Sequence, residues 1–214
     1  MTPGGPNLLT LARFALLLAA VLVPATLLHA ALPGSDAPPQ RGSRAGQLLI
    51  ASPSMSDPRF YQTVVLMVRH DHNGAFGIAI NRPVQERSLA SLLAAVGDND
   101  SPVEGSVRIF AGGPVQPEIG FVLHSADYAR PTTVSIDGHV AMTGGREILR
   151  DIANKHGPEK FLIAFGYAGW APTQLEGELA QGFWFTAPED TRLVFDLDRD
   201  KVWDDAVKRR TQDL

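Results

Sequence analysis

The chain of 214 residues contains no cysteine. Disulfides, thiolate-ligated zinc, iron–sulfur clusters and a thiol nucleophile are therefore excluded, while the redox compartment stays open. Positive charge is also scarce: 19 Lys and Arg stand against 23 Asp and Glu, a net of −4. An acidic chain is poorly equipped to hold a phosphate backbone, so nucleic acid is not an expected partner. Several enzyme motifs are missing as well. There is no G-x-x-x-x-G-K-[ST] or G-x-G-x-x-G loop for phosphates, no G-x-S-x-G nucleophile turn and no H-E-x-x-H zinc helix. With 44% apolar and 20% charged residues, the composition is globular. One domain of ordinary size fits, with about forty residues to spare.

Those spare residues lie at the amino end. Leu8 to Leu32 is nearly continuous apolar, and its uncharged stretch runs from Phe14 to Leu28. That stretch is short for a membrane span, which takes about 20 residues, and it fits the centre of a secretory signal. A membrane anchor over Leu8–Leu28 is the second reading, with Arg13 snorkelling to the interface. The cleavage signal is weak, since Leu28-His29-Ala30 sets a large residue three before the cut. A third reading is a start-site extension. Pro33–Arg44 is a Pro/Gly/Ser-rich linker. The expected organisation is a leader or anchor over 1–32 in the form of an apolar helix, a disordered linker over 33–45 and one domain over 46–214. A genuine leader implies a membrane-anchored or exported protein, with membrane contact through 8–32; without it the expectation is cytoplasmic. Residues 1–45 hold three arginines and one aspartate, net +2, which leaves −6 for the domain.

Along the domain, Gln47–Ala51 reads as a buried strand, and Thr63–Arg69 and Ala75–Ile80 as strands joined by the hairpin signal Asn73-Gly74. Ser88 is placed to cap a helix carrying Leu89, Leu92, Leu93 and Val96. Val107–Ala111 and Ile119–His124 flank Gly112-Gly113-Pro114, and Thr132–Ile136 and His139–Met142 flank the turn Asp137-Gly138. Thr143 is a candidate cap for a helix over Arg146–Lys155, and Phe161–Tyr167 reads as a buried strand. Thr173-Gln174-Leu175-Glu176 fits a capping box, Arg192–Phe195 a last strand, and Asp200 a cap for a final helix. Hairpins outnumber strand–helix–strand alternations. The expected class is α+β, a single domain with a mixed, mostly antiparallel sheet and about four helices.

Few residues suggest chemistry. His70-Asp71-His72 has metal-ligand spacing but sits at a hairpin turn, which favours solvated turn residues. His124 ends a strand, as a hydrogen-bonded histidine or as a base. Asn81-Arg82-Pro83 follows a strand; Pro83 keeps Arg82 extended, where its guanidinium can take an anion or tie down a neighbouring loop. Gly112-Gly113-Pro114 permits a close backbone approach, to a ligand or within the chain. Gly166–Glu178 with Trp184 is densest in polar-tipped aromatics. Glu176 and Glu178 point apart on a helix, so they do not form a catalytic carboxylate pair.

These segments together resemble the YqgE/AlgH family of bacterial proteins. The residues that carry the resemblance are Gly46–Pro53 with Met55, Asp57 and Phe60, Gly77–Pro83, Gly112–Val115, Gly166–Trp170, Gln174–Glu176 and Trp184. The resemblance implies one α+β domain with a bifurcated, partly barrel-like sheet and no assigned reaction. Some members carry a transcriptional-regulator label, yet no helix-turn-helix with a basic recognition helix is visible here. It also implies a cytoplasmic domain starting near Gly46, from which the leader departs.

The resulting expectation is a non-catalytic regulatory module for an unidentified protein or small molecule, with no cofactor and no metal. Its candidate binding residues are Asn81, Arg82, Gly112, Gly113, Pro114, His124, Tyr167, Trp170 and Gln174. Arg82 would take an anionic group, Tyr167 and Trp170 an apolar one, and Gln174 would orient it. The alternatives are an enzyme of unfamiliar, hydrolytic type with His124 as base, and a DNA-bound regulator.

Overall fold

The computed structural model describes residues 43–98 and 103–211. The apolar run over 8–32 and most of the linker lie outside the described residues. Among the described residues no helix is long and apolar enough to cross a membrane.

Strands β1 (Gln47–Ala51), β2 (Val64–Asp71) and β3 (Gly74–Ala79) read as near-continuous apolar runs because both of their faces are covered. Side chains alternate across a strand. Leu48, Ile50, Val64, Leu66 and Ile78 thus enter one core, while Leu49, Ala51, Val65, Met67 and Ala79 enter another. The hairpin turn between β2 and β3 falls at His72-Asn73, where the Asn73 N–H donates to Asp71 Oδ1 at 2.7 Å.

The chain continues through β4 (Pro83–Ser88), α1 (Leu89–Ala95), β5 (Ser106–Ala111), β6 (Val115–Ser125), β7 (Thr133–Ser135), β8 (Val140–Gly144) and α2 (Arg146–Ala153). It ends with β9 (Phe161–Trp170), α3 (Gln174–Ala180), β10 (Trp184–Pro188), a single-turn π-helix (Arg192–Asp196) and α4 (Arg199–Lys208). Among the described residues ten strands form one sheet in the order β10-β1-β2-β3-β9-β6-β8-β7, with β4 and β5 as a side branch. The pairing is antiparallel throughout except between β5 and β9. The sheet curls around the first core, which α4 and the π-helix complete with Val202, Ala206, Leu193 and Val194. Outside it, α3 and the Trp170–Trp184 pair cover β1–β3. Helices α1 and α2 cover Ile109, Val122 and Ile163 of β5, β6 and β9. The fold is α+β with a half-barrel sheet.

Strand β9 makes the fork. Its first half, Phe161–Phe165, lies between β5 and β6; its second half, Ala168–Trp170, pairs with β3. Between them Gly166 takes φ +72, a conformation that favours glycine.

Local expectations met tertiary competition at several points. Ser88 caps α1 through the Ser91 N–H, 3.2 Å away. Thr143 does not cap α2, where Gly145 stands at the N-cap; its hydroxyl is buried against His124. The Thr173 capping box does not close: Thr173 sits at φ +66 without a side-chain cap bond, and Glu176 reaches His70 instead. Arg192–Asp196 is a π-helix and not a strand, and Asp198, two residues before Asp200, stands at the N-cap of α4.

Candidate functional site

The expected binding residues fall into three groups. At the fork, Arg82, Gly112, Gly113 and Tyr167 meet through main chain: the Ala111 N–H donates to Arg82 O at 2.9 Å, and the Gly112 N–H to Phe165 O at 2.7 Å. A Cβ on Gly112 would lie 2.3 Å from Gly166 O, and one on Gly113 would lie 2.0 Å from the Tyr167 carbonyl carbon. The close approach that these glycines permit is to the chain's own backbone. The Asn81 and Arg82 side chains clasp the preceding loop. Asn81 Oδ1 accepts from the Val64 N–H and its Nδ2 donates to Gln62 O, both at 2.9 Å. Arg82 donates to Thr63 Oγ1, Tyr61 O and Arg59 O at 3.0, 2.8 and 3.1 Å. Burial lowers its pKa from the ordinary value. Tyr167 is half-buried against Phe76, with ring centroids 4.7 Å apart, and desolvation raises its pKa.

The second group centres on a carboxylate. Glu178 Oε2 accepts from the indole N–H of Trp170 and of Trp184, both at 2.8 Å, and its Oε1 accepts from Gln174 Nε2 at 2.9 Å. Gln174 Oε1 in turn accepts from the Ala171 N–H at 3.0 Å. Trp170 is 7% exposed, so most of its ring faces the interior. Glu176 leaves the helix the other way, and its Oε1 takes the Nε2–H of His70 at 2.8 Å. That proton is fixed because His70 Nδ1 accepts from the Arg44 N–H at 3.2 Å.

His124 stands apart and has no exposed surface. Its Nδ1–H can only donate to Ser125 O, at 2.8 Å, so Nε2 accepts from the Thr143 hydroxyl at 2.8 Å. Thr143 accepts in turn from Thr133, and Thr133 from the Arg130 N–H. Burial lowers the His124 pKa, against smaller opposing effects of Ser125 O and Asp127. Both ring nitrogens serve the fold, which leaves neither available to a substrate.

A cleft of about 390 Å3 opens elsewhere, where the β4–β5 ribbon faces the π-helix and the start of α4. Arg108 and Glu86 come from the ribbon, Asp196, Asp198 and Arg199 from the opposite wall, and Phe110 from the floor side. Arg199 is only 8% exposed, and its hydrogen bonds all go to main-chain carbonyls: those of Leu197 from Nε and Nη2, and of Ile80, Leu193 and Val194 from Nη1. One Nη2 hydrogen is left over. Burial, and then the neighbouring Arg108 charge, lower its pKa, while Asp196 and Asp198 oppose the shift. The π-helix places the Leu193 and Val194 carbonyls around this guanidinium. Neither feature could be read from the sequence, where Arg199 is one charged residue among several and RLVFD has strand-like composition. A second cleft of about 310 Å3 includes Gly113, Pro117, Val84 and Arg87.

Comparison with known proteins shows the family and the fold. A family model described as AlgH-like matches residues 48–214. A UPF0301 protein of Rhodospirillum rubrum is 43% identical over 155 residues, covering 72% of this chain and 81% of its own. Another from Methylococcus capsulatus is 39% identical over 173 residues, 81% and 94% of the two chains. The solution structure of AlgH from Pseudomonas aeruginosa superposes with TM-score 0.69 at 39% identity, over 81% of this chain and 92% of that one. Protein DIP2367 of Corynebacterium diphtheriae, 20% identical, shares the fold with TM-score 0.63 over 87% and 94%. With the match running through the forked sheet to the last residue, the chain belongs to the AlgH-like family.

Proposed function

We propose that the domain is a binding module with a regulatory role and no chemistry of its own, and that its ligand site is the cleft between the β4–β5 ribbon and the π-helix. One observation carries this reading: an arginine 8% exposed as a residue, its guanidinium bonded only to carbonyls and keeping one N–H in reserve, lines a 390 Å3 cleft. A buried cation without a carboxylate at bonding distance is costly, and it offers strong attraction to an anionic group that arrives. Arg108, its side chain 57% exposed and 4.0 Å from Glu86, is a second donor lining the cleft. Asp196 and Asp198 line the same space, so the cleft carries both signs of charge. A small zwitterion matches it, its carboxylate against the two arginines and its ammonium against the aspartates. The fork glycines and the clasp made by Asn81 and Arg82 hold the ribbon that forms one wall.

The test is amide NMR of the isotopically labelled full chain, titrated with a panel of free amino acids and dipeptides. The expected result is saturable shifts at Arg108 and Phe195–Arg199 with at least one member, abolished in Arg108→Glu while the remaining spectrum is unchanged. Shifts absent for the whole panel, or centred away from the cleft, would refute the proposal.

A further inference from the structure

At the opposite ends of the strand order, the turn between β7 and β8 meets the residue after β10. A Cβ placed on Gly46, just before β1, would lie 3.0 Å from Asp137 Cβ, so the turn packs directly on the start of β1. There Asp137, His139 and Glu189 each bring one donor atom, a carboxylate oxygen or an imidazole nitrogen, to within 4.8 Å of the others. Asp137 Oδ1 is already engaged, accepting from the His139 and Val140 N–H groups at 2.9 Å, which fixes the turn and leaves Oδ2. Independently, Glu189 Oε1 is shut off from solvent and has no hydrogen-bond partner among the described residues. A buried carboxylate oxygen with nothing to accept from is rare in a folded protein, and it calls for a proton or a cation.

We propose that Asp137, His139 and Glu189 form a binding site for a divalent transition cation of the zinc class. Two carboxylates facing each other require two positive charges for neutrality, which a divalent ion supplies. The imidazole selects a borderline-soft ion over magnesium or calcium. Three protein ligands leave positions for water, in keeping with the exposed imidazole. With the ion in place, the last turn of the strand order is tied to its first strands, so binding and stability are linked. The sequence offered no sign of this set. Asp137 and His139 read as hairpin residues, and their third partner lies on a distant segment.

The test uses the chelator-stripped full chain titrated with Zn2+, followed by calorimetry and thermal unfolding. The expected result is binding of about one ion per chain and a rise in the unfolding midpoint. Affinity should be weaker by about tenfold or more in His139→Ala and in Glu189→Gln, the scale on which disturbed metal shells lose ions, and unchanged in His72→Ala. Glu189→Gln keeps the side-chain volume, and its unfolding midpoint without zinc serves as the measure of intact folding. Absence of Zn2+ binding in the wild type, or binding indifferent to His139→Ala and Glu189→Gln, would overturn the site.

Discussion

Removing the Glu178 carboxylate should be among the most damaging single changes outside the central core. Its Oε2 is the acceptor for two indole N–H groups, from Trp170 at 2.8 Å and Trp184 at 2.8 Å. Those rings are 7% and 3% exposed and meet edge to face at a centroid distance of 5.9 Å. In Glu178→Ala both indoles lose their partner, and an orphaned buried donor costs about 1–3 kcal/mol. Partial access of water at the edge of α3 trims the sum, so the expected loss is about 3 kcal/mol. Glu178→Gln keeps an oxygen for both indoles and turns its NH2 toward Gln174 Nε2, a donor-to-donor clash at an exposed edge that water relieves. Its expected cost is about 1 kcal/mol. Urea unfolding, followed by tryptophan fluorescence and far-UV circular dichroism, gives both values. In a Trp170→Phe background, which removes one donor, the cost of Glu178→Ala should fall by about half, as a double-mutant cycle would register. An alanine variant within about 0.5 kcal/mol of wild type, or a glutamine variant equally damaged, would refute the acceptor role.

Three further outcomes follow from geometry already described. Gly112→Ala drives a Cβ to 2.3 Å from Gly166 O and should cost about 3 kcal/mol or more, since backbone atoms on both sides block relaxation. Gly177→Ala, in α3 with nothing within 4 Å of the added methyl, should instead stabilise by about 0.5–1 kcal/mol; denaturation midpoints compare the two. His124 is held neutral, with a folded pKa below its unfolded value of 6.5. The unfolded chain therefore binds the extra proton below about pH 6.5, so its stabilising effect is complete above that pH and is lost as pH falls further. The slope of stability against pH between about 6.5 and 5 should be shallower in His124→Gln than in wild type, by up to about 1.4 kcal/mol per pH unit. Coincident slopes would show that the ring takes up its proton in the folded state.

The parts of this fold legible in the sequence are those governed by local periodicity. Unbroken apolar runs over β1–β3, the turn at Asp137-Gly138 and the Ser88 cap all appear in the structure, as does the first hairpin, with its turn at His72-Asn73, one residue before the expected Asn73-Gly74. Strand β4 escaped because each of its residues, Pro83–Ser88, is exposed, so no alternation marks it. The π-helix escaped because a short apolar run such as Leu193–Phe195 does not distinguish a buried strand from one buried turn. Where a motif was present but unused, a distant partner had won. Glu176 satisfies the capping-box spacing, yet His70 is the better partner, 106 positions away in sequence. The candidate site shows the same division. Glycine pairs announce that something comes close, and only the fold reveals that the visitor at Gly112 is Gly166. Arg199 carries no local sign of its carbonyl cage, since Ile80 O comes from the other end of the domain.

The central position of β9 has a consequence for how this chain folds. Three ribbons, β2–β3, β4–β5 and β6–β8, are each closed by neighbours in sequence, and each leaves one edge bare until Phe161–Trp170 arrives. A single late segment thus welds three separately formed pieces. During synthesis those pieces wait with unpaired edges, a state prone to wrong pairing. Assembly on a ribosome should accordingly start no earlier than the emergence of Trp170 and finish only when β10, the π-helix and α4 have followed to close the cores, with nascent chains that end before Trp170 remaining sensitive to protease.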